Sequence, residues 1–186
     1  MSAADWIVHA HIPWEQWVNF GPPGFPAYAR LRFIPDPTRP GQTEADVYID
    51  NDHPPEMEQT RLALECLGQF TTTPEDCYFC IWEGYGDEYI PPSVLVGPMV
   101  TIPHRRYFLL NGSLDDLGSW EEIFGSVGSF PPAFAWPADH SWCFARDVDP
   151  HWAGIGAEQT AIDTLLNAPE LDVVPAQPSE RQPTYY

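Results

Sequence analysis

The stretch Cys77-Tyr78-Phe79-Cys80-Ile81-Trp82 is an unbroken apolar run that follows Asp76 and ends at the turn Glu83-Gly84. A short, continuous apolar run bounded by turn residues is typical of a strand that is covered on both faces. We therefore predict that residues 77–82 form a central β-strand.

Further strands and helices are predicted on either side of this run. Residues 27–34 alternate along the predicted strand, residues 100–102, 105–110 and 141–147 also have strand patterns, and residues 47–49 are predicted as a short strand. Helical spacing of apolar residues predicts two principal helices, at about 56–67 and 158–167, and capping-box spacing predicts short helical turns near 113–124. This order indicates an α+β fold with a mainly antiparallel sheet.

The chain has the length and the apolar content of one folded domain. It has 186 residues, of which 44% are hydrophobic and 14% aromatic, so a substantial core is expected. We predict a single globular domain over 1–174, beginning with a turn-rich, Trp-containing segment at 1–26. The Pro- and Gln-containing residues 175–186 are predicted to form a flexible tail.

The charge of the chain is strongly negative and all of its basic residues are arginines. There are 27 Asp and Glu residues against eight Arg, with no Lys, which gives a net charge of −19. Binding to DNA, RNA or an anionic membrane needs clustered basic residues, so we expect neither direct nucleic-acid binding nor membrane binding. A protein partner with a basic surface fits the charge, and mimicry of nucleic acid stays open.

The location is expected to be the cytoplasm. The first residues lack a cationic start followed by an apolar run, and no stretch approaches the length of a membrane span. The four cysteines are then expected as thiols, not disulfides.

Two sequence segments resemble a group of uncharacterised actinobacterial proteins. The segments are 77–84 (CYFCIWEG) and 136–143 (WPADHSWC), with Arg106-Tyr107-Phe108-Leu109-Leu110 between them. The group carries a CWFxxWEGxG strand, an RxYxL strand and a WPADRSW strand, and His140 stands here where the group has Arg. The resemblance covers about residues 77–170 and implies a fold and a lineage, with no activity attached.

Two pairs of possible metal ligands are discounted by the strand prediction. Cys77 and Cys80 lie three residues apart in a strand, so their sulfurs point to opposite faces and cannot share a metal ion. His140 and Cys143 have the same spacing and could join Cys77 or Cys80 in a mixed metal site only if a turn follows His140. We therefore predict that the cysteines are buried in the core.

The best candidate for chemistry is Asp147-Val148-Asp149-Pro150-His151, at the point where a predicted strand ends and a glycine-rich loop, Gly154-Ile155-Gly156, leads into a helix. If this segment is extended, Asp147, Asp149 and His151 lie on one face, as in a divalent metal site or around a carboxylate-oriented general base. The alternative is a polar strand end whose Asp side chains cap turns.

Other charged groups are weaker candidates. Glu83, Asp87 and Glu88 could form an acid pair or a plain acidic turn. Arg105 and Arg106 are adjacent in a predicted strand, so one of them points inward and requires a carboxylate; an ion pair with Glu83 or Asp147 is preferred over an anion pocket.

The leading functional hypothesis is a non-enzymatic protein-protein interaction module of the inhibitor or immunity type, with no cofactor. Trp14 and Trp17 are candidate contact residues, because aromatic side chains often anchor interfaces. The alternatives are a small metal-dependent or acid/base hydrolase that uses Asp147, Asp149 and His151, with Glu83, and a nucleic-acid mimic.

Overall fold

The computed structural model describes residues 2–86, 88 and 90–186 and shows an α+β fold. Its strands form one eight-stranded antiparallel sheet in the order β3-β4-β2-β5-β6-β7-β1-β8. The strands are β1 (Ala27–Arg32), β2 (Cys77–Trp82), β3 (Met99–Ile102), β4 (Arg105–Gly112), β5 (Phe134–Pro137), β6 (Trp142–Ala145), β7 (Trp152–Ala157) and β8 (Val173–Pro175). The predicted α+β class and antiparallel sheet are confirmed.

The helices cover the two faces of the sheet. They are α1 (Asp5–Val8), α2 (Trp14–Phe20), α3 (Glu56–Gly68), α4 (Pro92–Leu95), α5 (Trp120–Phe124) and α6 (Gln159–Leu166). The two predicted principal helices are α3 and α6, and the predicted turns near 113–124 are a 3₁₀ helix at Leu114–Ser119 followed by α5.

The strand at 77–82 lies inside the sheet, between β4 and β5, as its apolar sequence predicts. Cys77, Phe79 and Ile81 face one hydrophobic core with α3, α5 and α6, whereas Cys80 faces a second core with α1 and α2. The alternation of strand side chains therefore divides the apolar residues between two layers of helices, because each face of the sheet must be covered.

Three local predictions were wrong. Residues 47–49, read as a short strand, lie in a loop after a 3₁₀ turn at Glu44–Asp46. Residues 154–156, read as a glycine-rich loop, belong to β7, which pairs with both β1 and β6. The segment 1–26, read as turn-rich, contains the helices α1 and α2.

The residues predicted as a flexible tail make specific contacts with the body. Pro175 is the last residue of β8 and pairs with β1, and the Ala176 amide donates to the Tyr28 carbonyl at 3.0 Å. The Trp152 indole donates to the Pro183 carbonyl at 3.2 Å. We call residues 176–186 the C-terminal strap.

Candidate functional site

Polar residues concentrate at one edge of the sheet. The antiparallel registers bring the ends of β1, β2 and β6 to the edge at which β4 and β7 begin. Five of the eight arginines lie in or beside these strand ends: Arg30, Arg32, Arg105, Arg106 and Arg146. We call this end of the sheet the polar edge.

Arg105 and Asp147 form a two-point ion pair at the polar edge. Arg105 Nε donates to Asp147 Oδ1 at 3.0 Å and Nη2 donates to Oδ2 at 3.1 Å. The Asp147 side chain is only 8% exposed, so its charge depends on this partner. The ion pair that we preferred from the sequence is confirmed.

Two tryptophans complete the surroundings of Arg105. Its guanidinium lies 5.2 Å from the centre of the Trp14 ring and 5.8 Å from that of Trp82. Trp14 is fixed in turn, because its indole donates to the Pro103 carbonyl at 2.8 Å. The hydrogen bonds that Arg105 donates to Asp147 raise the pKa of the guanidinium. Arg105 is thus held by internal contacts and is not presented as a free anion site.

Arg106 forms a different ion pair from that of Arg105. It pairs with Glu83 at 3.3 Å and is largely exposed. Neighbouring strand residues point to opposite faces, so Glu83 and Asp147 are bound on opposite sides of β4. Of the predicted acid pair near Gly84, Asp87 lies outside the described residues, and Glu88 is exposed.

The expectation of a shared face for Asp147, Asp149 and His151 was wrong. Residues 146–151 form the bend between β6 and β7, not an extended strand. Asp147 turns to Arg105, whereas His151 Nε2 lies 3.0 Å from Asp36 Oδ1 and Asp149 is exposed. In the described part of the chain, no group of three or more His, Cys, Asp or Glu residues is placed to hold a metal ion.

Asp36 is the centre of a cluster that the sequence did not reveal. It accepts hydrogen bonds from Arg30 at 2.8 and 3.0 Å and from Arg32 at 3.1 Å. Arg32 also binds Asp172. The available signal was modest: Arg30 and Arg32 share one face of a strand that ends shortly before an Asp.

The cluster keeps Asp36 ionised and His151 neutral. Burial alone would raise the pKa of Asp36, but hydrogen bonds from Arg30 and His151 hold it well below its usual range. Burial lowers the pKa of His151 and outweighs the opposing effect of Asp36. A carboxylate that accepts several hydrogen bonds is a weak base that stays ionised at neutral pH, so this pair is suited to holding structure, not to acid/base exchange.

Three of the four cysteines are buried and unreactive in this fold. All four are free thiols, and Cys77, Cys80 and Cys143 are fully buried. Burial raises the pKa of Cys77 to about 12 and also raises those of Cys80 and Cys143 well above their usual value. His140 is exposed and stacks on Trp6, with ring centres 4.1 Å apart.

Trp14 and Trp17, the candidate contact residues, both make contacts within the chain. Trp17 is 8% exposed, and its indole donates to the Ile7 carbonyl at 2.9 Å. Trp14 is half-buried against Arg105. Trp17 is therefore a core residue; among the described residues, the large apolar side chains at the surface are Tyr48, Ile49, Val96, Ile123, Phe130 and Tyr186.

A cleft of about 680 Å³ opens beside the polar edge, between α2, the bend at 146–151 and the C-terminal strap. Four carboxylates line it, from Glu15, Asp147, Asp149 and Glu180, together with one cation, Arg181. Asp147 is neutralised by Arg105, whereas Glu15, Asp149 and Glu180 are exposed. We call this the acidic cleft, and its chemistry suits a cationic ligand.

Comparisons of the chain with protein-family models, with curated proteins and with solved structures found no match. No helix among the described residues has both the length and the apolar character that crossing a bilayer requires.

Proposed function

We propose that this chain is a non-enzymatic binding protein that holds a basic segment of another protein in the acidic cleft. The observation that carries the proposal is the cleft itself. It combines a volume of about 680 Å³ with three exposed carboxylates, from Glu15, Asp149 and Glu180, that take part in none of the salt bridges between described residues.

The distribution of positive charge supports this role. Seven of the eight arginines are paired with carboxylates of the same chain, so little positive charge is left to repel a cation. Among the described residues Asp147 is the only buried carboxylate, so most of the net charge of −19 faces solvent, where it speeds the approach of a basic partner.

The size of the cleft matches a short peptide segment. Ligand pockets in proteins commonly measure roughly 300–1,000 Å³. The cleft falls within that range, and the carboxylates of Glu15 in α2, Asp149 in the bend and Glu180 in the C-terminal strap all line it. An arginine side chain fits such a site well, since its planar guanidinium donates to two carboxylates at once.

The state of the remaining polar groups also favours binding over catalysis. Asp147 belongs to the predicted catalytic set, and Asp36 contacts His151 of that set. Both carboxylates are held in ion pairs with arginines. An inhibitor or immunity-type protein for a basic partner is the specific form we favour, acting in the cytoplasm, where its four thiols stay reduced.

The test is binding of a fluorescent nona-arginine peptide at low and high salt. We expect the wild type to bind at 50 mM salt and to lose affinity steeply as salt rises. The double variant Glu15→Gln/Asp149→Asn should bind about tenfold more weakly, because two rim charges are removed.

The matched control is Glu121→Gln/Glu122→Gln on α5, which removes the same charge from exposed positions on the other face of the sheet. It should change the affinity by less than about twofold. Equal losses of affinity in both double variants would mean that the peptide responds to the net charge of the protein and does not bind in the cleft, which contradicts the proposal.

A further inference from the structure

Arg181 differs from the other arginines of the described residues. Each of the other seven forms a salt bridge, whereas Arg181 forms none, although it lies in a chain with a large excess of acids. It is exposed, and it lies on the wall of the acidic cleft with Glu15, Asp149 and Glu180.

The C-terminal strap holds Arg181 at this wall. On one side of it, the Ala176 amide is bound to the Tyr28 carbonyl at 3.0 Å; on the other, the Pro183 carbonyl accepts from the Trp152 indole at 3.2 Å. The Tyr186 amide, at the end of the chain, donates to the Gln42 carbonyl at 3.1 Å. The backbone is thus anchored on both sides of Arg181 while the side chain stays free.

A tethered cation beside free carboxylates has a high effective concentration there, on the order of millimolar for short flexible tethers. Arg181 shares the lining of the cleft with Glu15, Asp149 and Glu180 and is not engaged in a fixed ion pair, so its long side chain is free to approach these carboxylates. An incoming arginine must therefore displace this charge before it gains the full attraction of the rim.

We propose that Arg181 is an internal competitor for the cationic side chain of the partner and so sets the affinity of the acidic cleft. The proposal rests on the proposed function and names the regulation of the same site. Removal of the Arg181 charge, or its engagement elsewhere by a partner, strengthens binding.

The experiment compares the affinity of the nona-arginine peptide for the wild type, Arg181→Gln and Arg61→Gln at 50 mM salt. Arg61 lies on α3, on the other face of the sheet, and pairs with Glu58 and Glu65. Arg61→Gln changes the net charge by the same amount as Arg181→Gln and also leaves Glu58 and Glu65 unpaired. It therefore controls for any effect of net charge on peptide binding. Both sites are at the surface, so both variants are expected to fold.

Arg181→Gln should bind the peptide about threefold to fivefold more tightly than the wild type, which is the worth of one exposed ion pair. Arg61→Gln should stay within about 1.5-fold, because its charge is far from the cleft. If Arg181→Gln gains no more than Arg61→Gln, the inference is overturned while the proposed function stands.

A second comparison fixes the place of the competition. In the Glu15→Gln/Asp149→Asn background, Arg181→Gln should give less than half of its effect, because two of the carboxylates for which it competes are gone. An undiminished effect in that background overturns the inference. Absence of peptide binding in all variants, the wild type included, overturns both the inference and the proposed function.

Discussion

Arg30 of β1 donates two hydrogen bonds, of 2.8 and 3.0 Å, to the two carboxylate oxygens of Asp36. Arg30 is only 5% exposed, so this ion pair is largely shielded from water. This pair fixes the loop after β1 to the sheet and gives His151 its partner. Two-point arginine-carboxylate pairs are geometrically specific, so the contact defines the path of the chain as well as contributing energy.

Substitution of Asp36 should be costly. Asp36→Asn leaves the buried Arg30 without a counter-charge, and we expect a loss of about 3 kcal/mol in the free energy of unfolding, measured by urea titration. The control is Glu65→Gln, which removes one partner of Arg61 at the surface and should cost about 0.5 kcal/mol or less. Similar costs in the two variants would show that the Arg30–Asp36 pair is dispensable.

The pair of Arg105 and Asp147 should show strong energetic coupling. Each single variant, Arg105→Gln and Asp147→Asn, leaves a poorly exposed charge unpaired and should cost about 2–4 kcal/mol. The double variant should be less destabilised than the sum of the singles, with a coupling energy of about 1–3 kcal/mol from a double-mutant cycle. Additive costs would contradict the pairing seen in the structure.

Stability should rise with pH through the titration range of His151. Burial lowers the pKa of its imidazole in the folded state, so the unfolded chain binds the proton first as the pH falls. The stability that the neutral imidazole contributes is complete above the unfolded pKa of about 6.5 and is lost as the pH falls toward the lower, folded pKa.

The measurement is the free energy of unfolding between pH 8 and pH 5, for the wild type and for His151→Gln. We expect the slope in the wild type to be steeper, since the variant lacks the titrating group. A wild type that becomes more stable on acidification across this range would show that attraction to Asp36 outweighs burial.

The thiols should be protected by folding. Cys77, Cys80 and Cys143 are buried and their pKa values are raised, so we expect a maleimide reagent at pH 7 to label none of them in the native protein. Cys66 is partly exposed and is the only one expected to react slowly. Mass spectrometry before and after denaturation gives the count; rapid native labelling at a second cysteine contradicts the burial.

The sequence predicted the parts of the fold that depend on local pattern. The apolar run at 77–82 placed the central strand, and its alternation placed Cys77 and Cys80 on opposite faces, as observed. The helix at 56–67 was predicted from its spacing and differs from the observed helix by one residue. These features depend on neighbours in the chain, which a sequence displays directly.

The strand β7 was missed because its glycines have a cause that is distant in the sequence. A Cβ atom at position 154 would lie 2.0 Å from the Asn19 carbonyl oxygen, and one at 156 would lie 2.5 Å from the ring of Phe25. The N-terminal segment thus packs directly on the strand. Glycine in a strand often marks such a close approach, but the pattern alone resembles a loop.

The candidate site was predicted only in part. The ion pair of Arg105 with Asp147 followed from the need of an inward arginine for a carboxylate, whereas the approach of His151 to Asp36 joins segments that are far apart in the chain. The acidic cleft depends on the course of the C-terminal strap, whose Pro- and Gln-containing sequence resembles a free tail.

The most direct test of the acidic cleft is a nuclear magnetic resonance titration of the ¹⁵N-labelled protein with the nona-arginine peptide. We predict that the largest amide shifts fall in α2, in the bend at 146–151 and in residues 178–184, and that they saturate together. Shifts that are spread evenly over the acidic surface, or that are centred on α5, would contradict a binding site in the cleft.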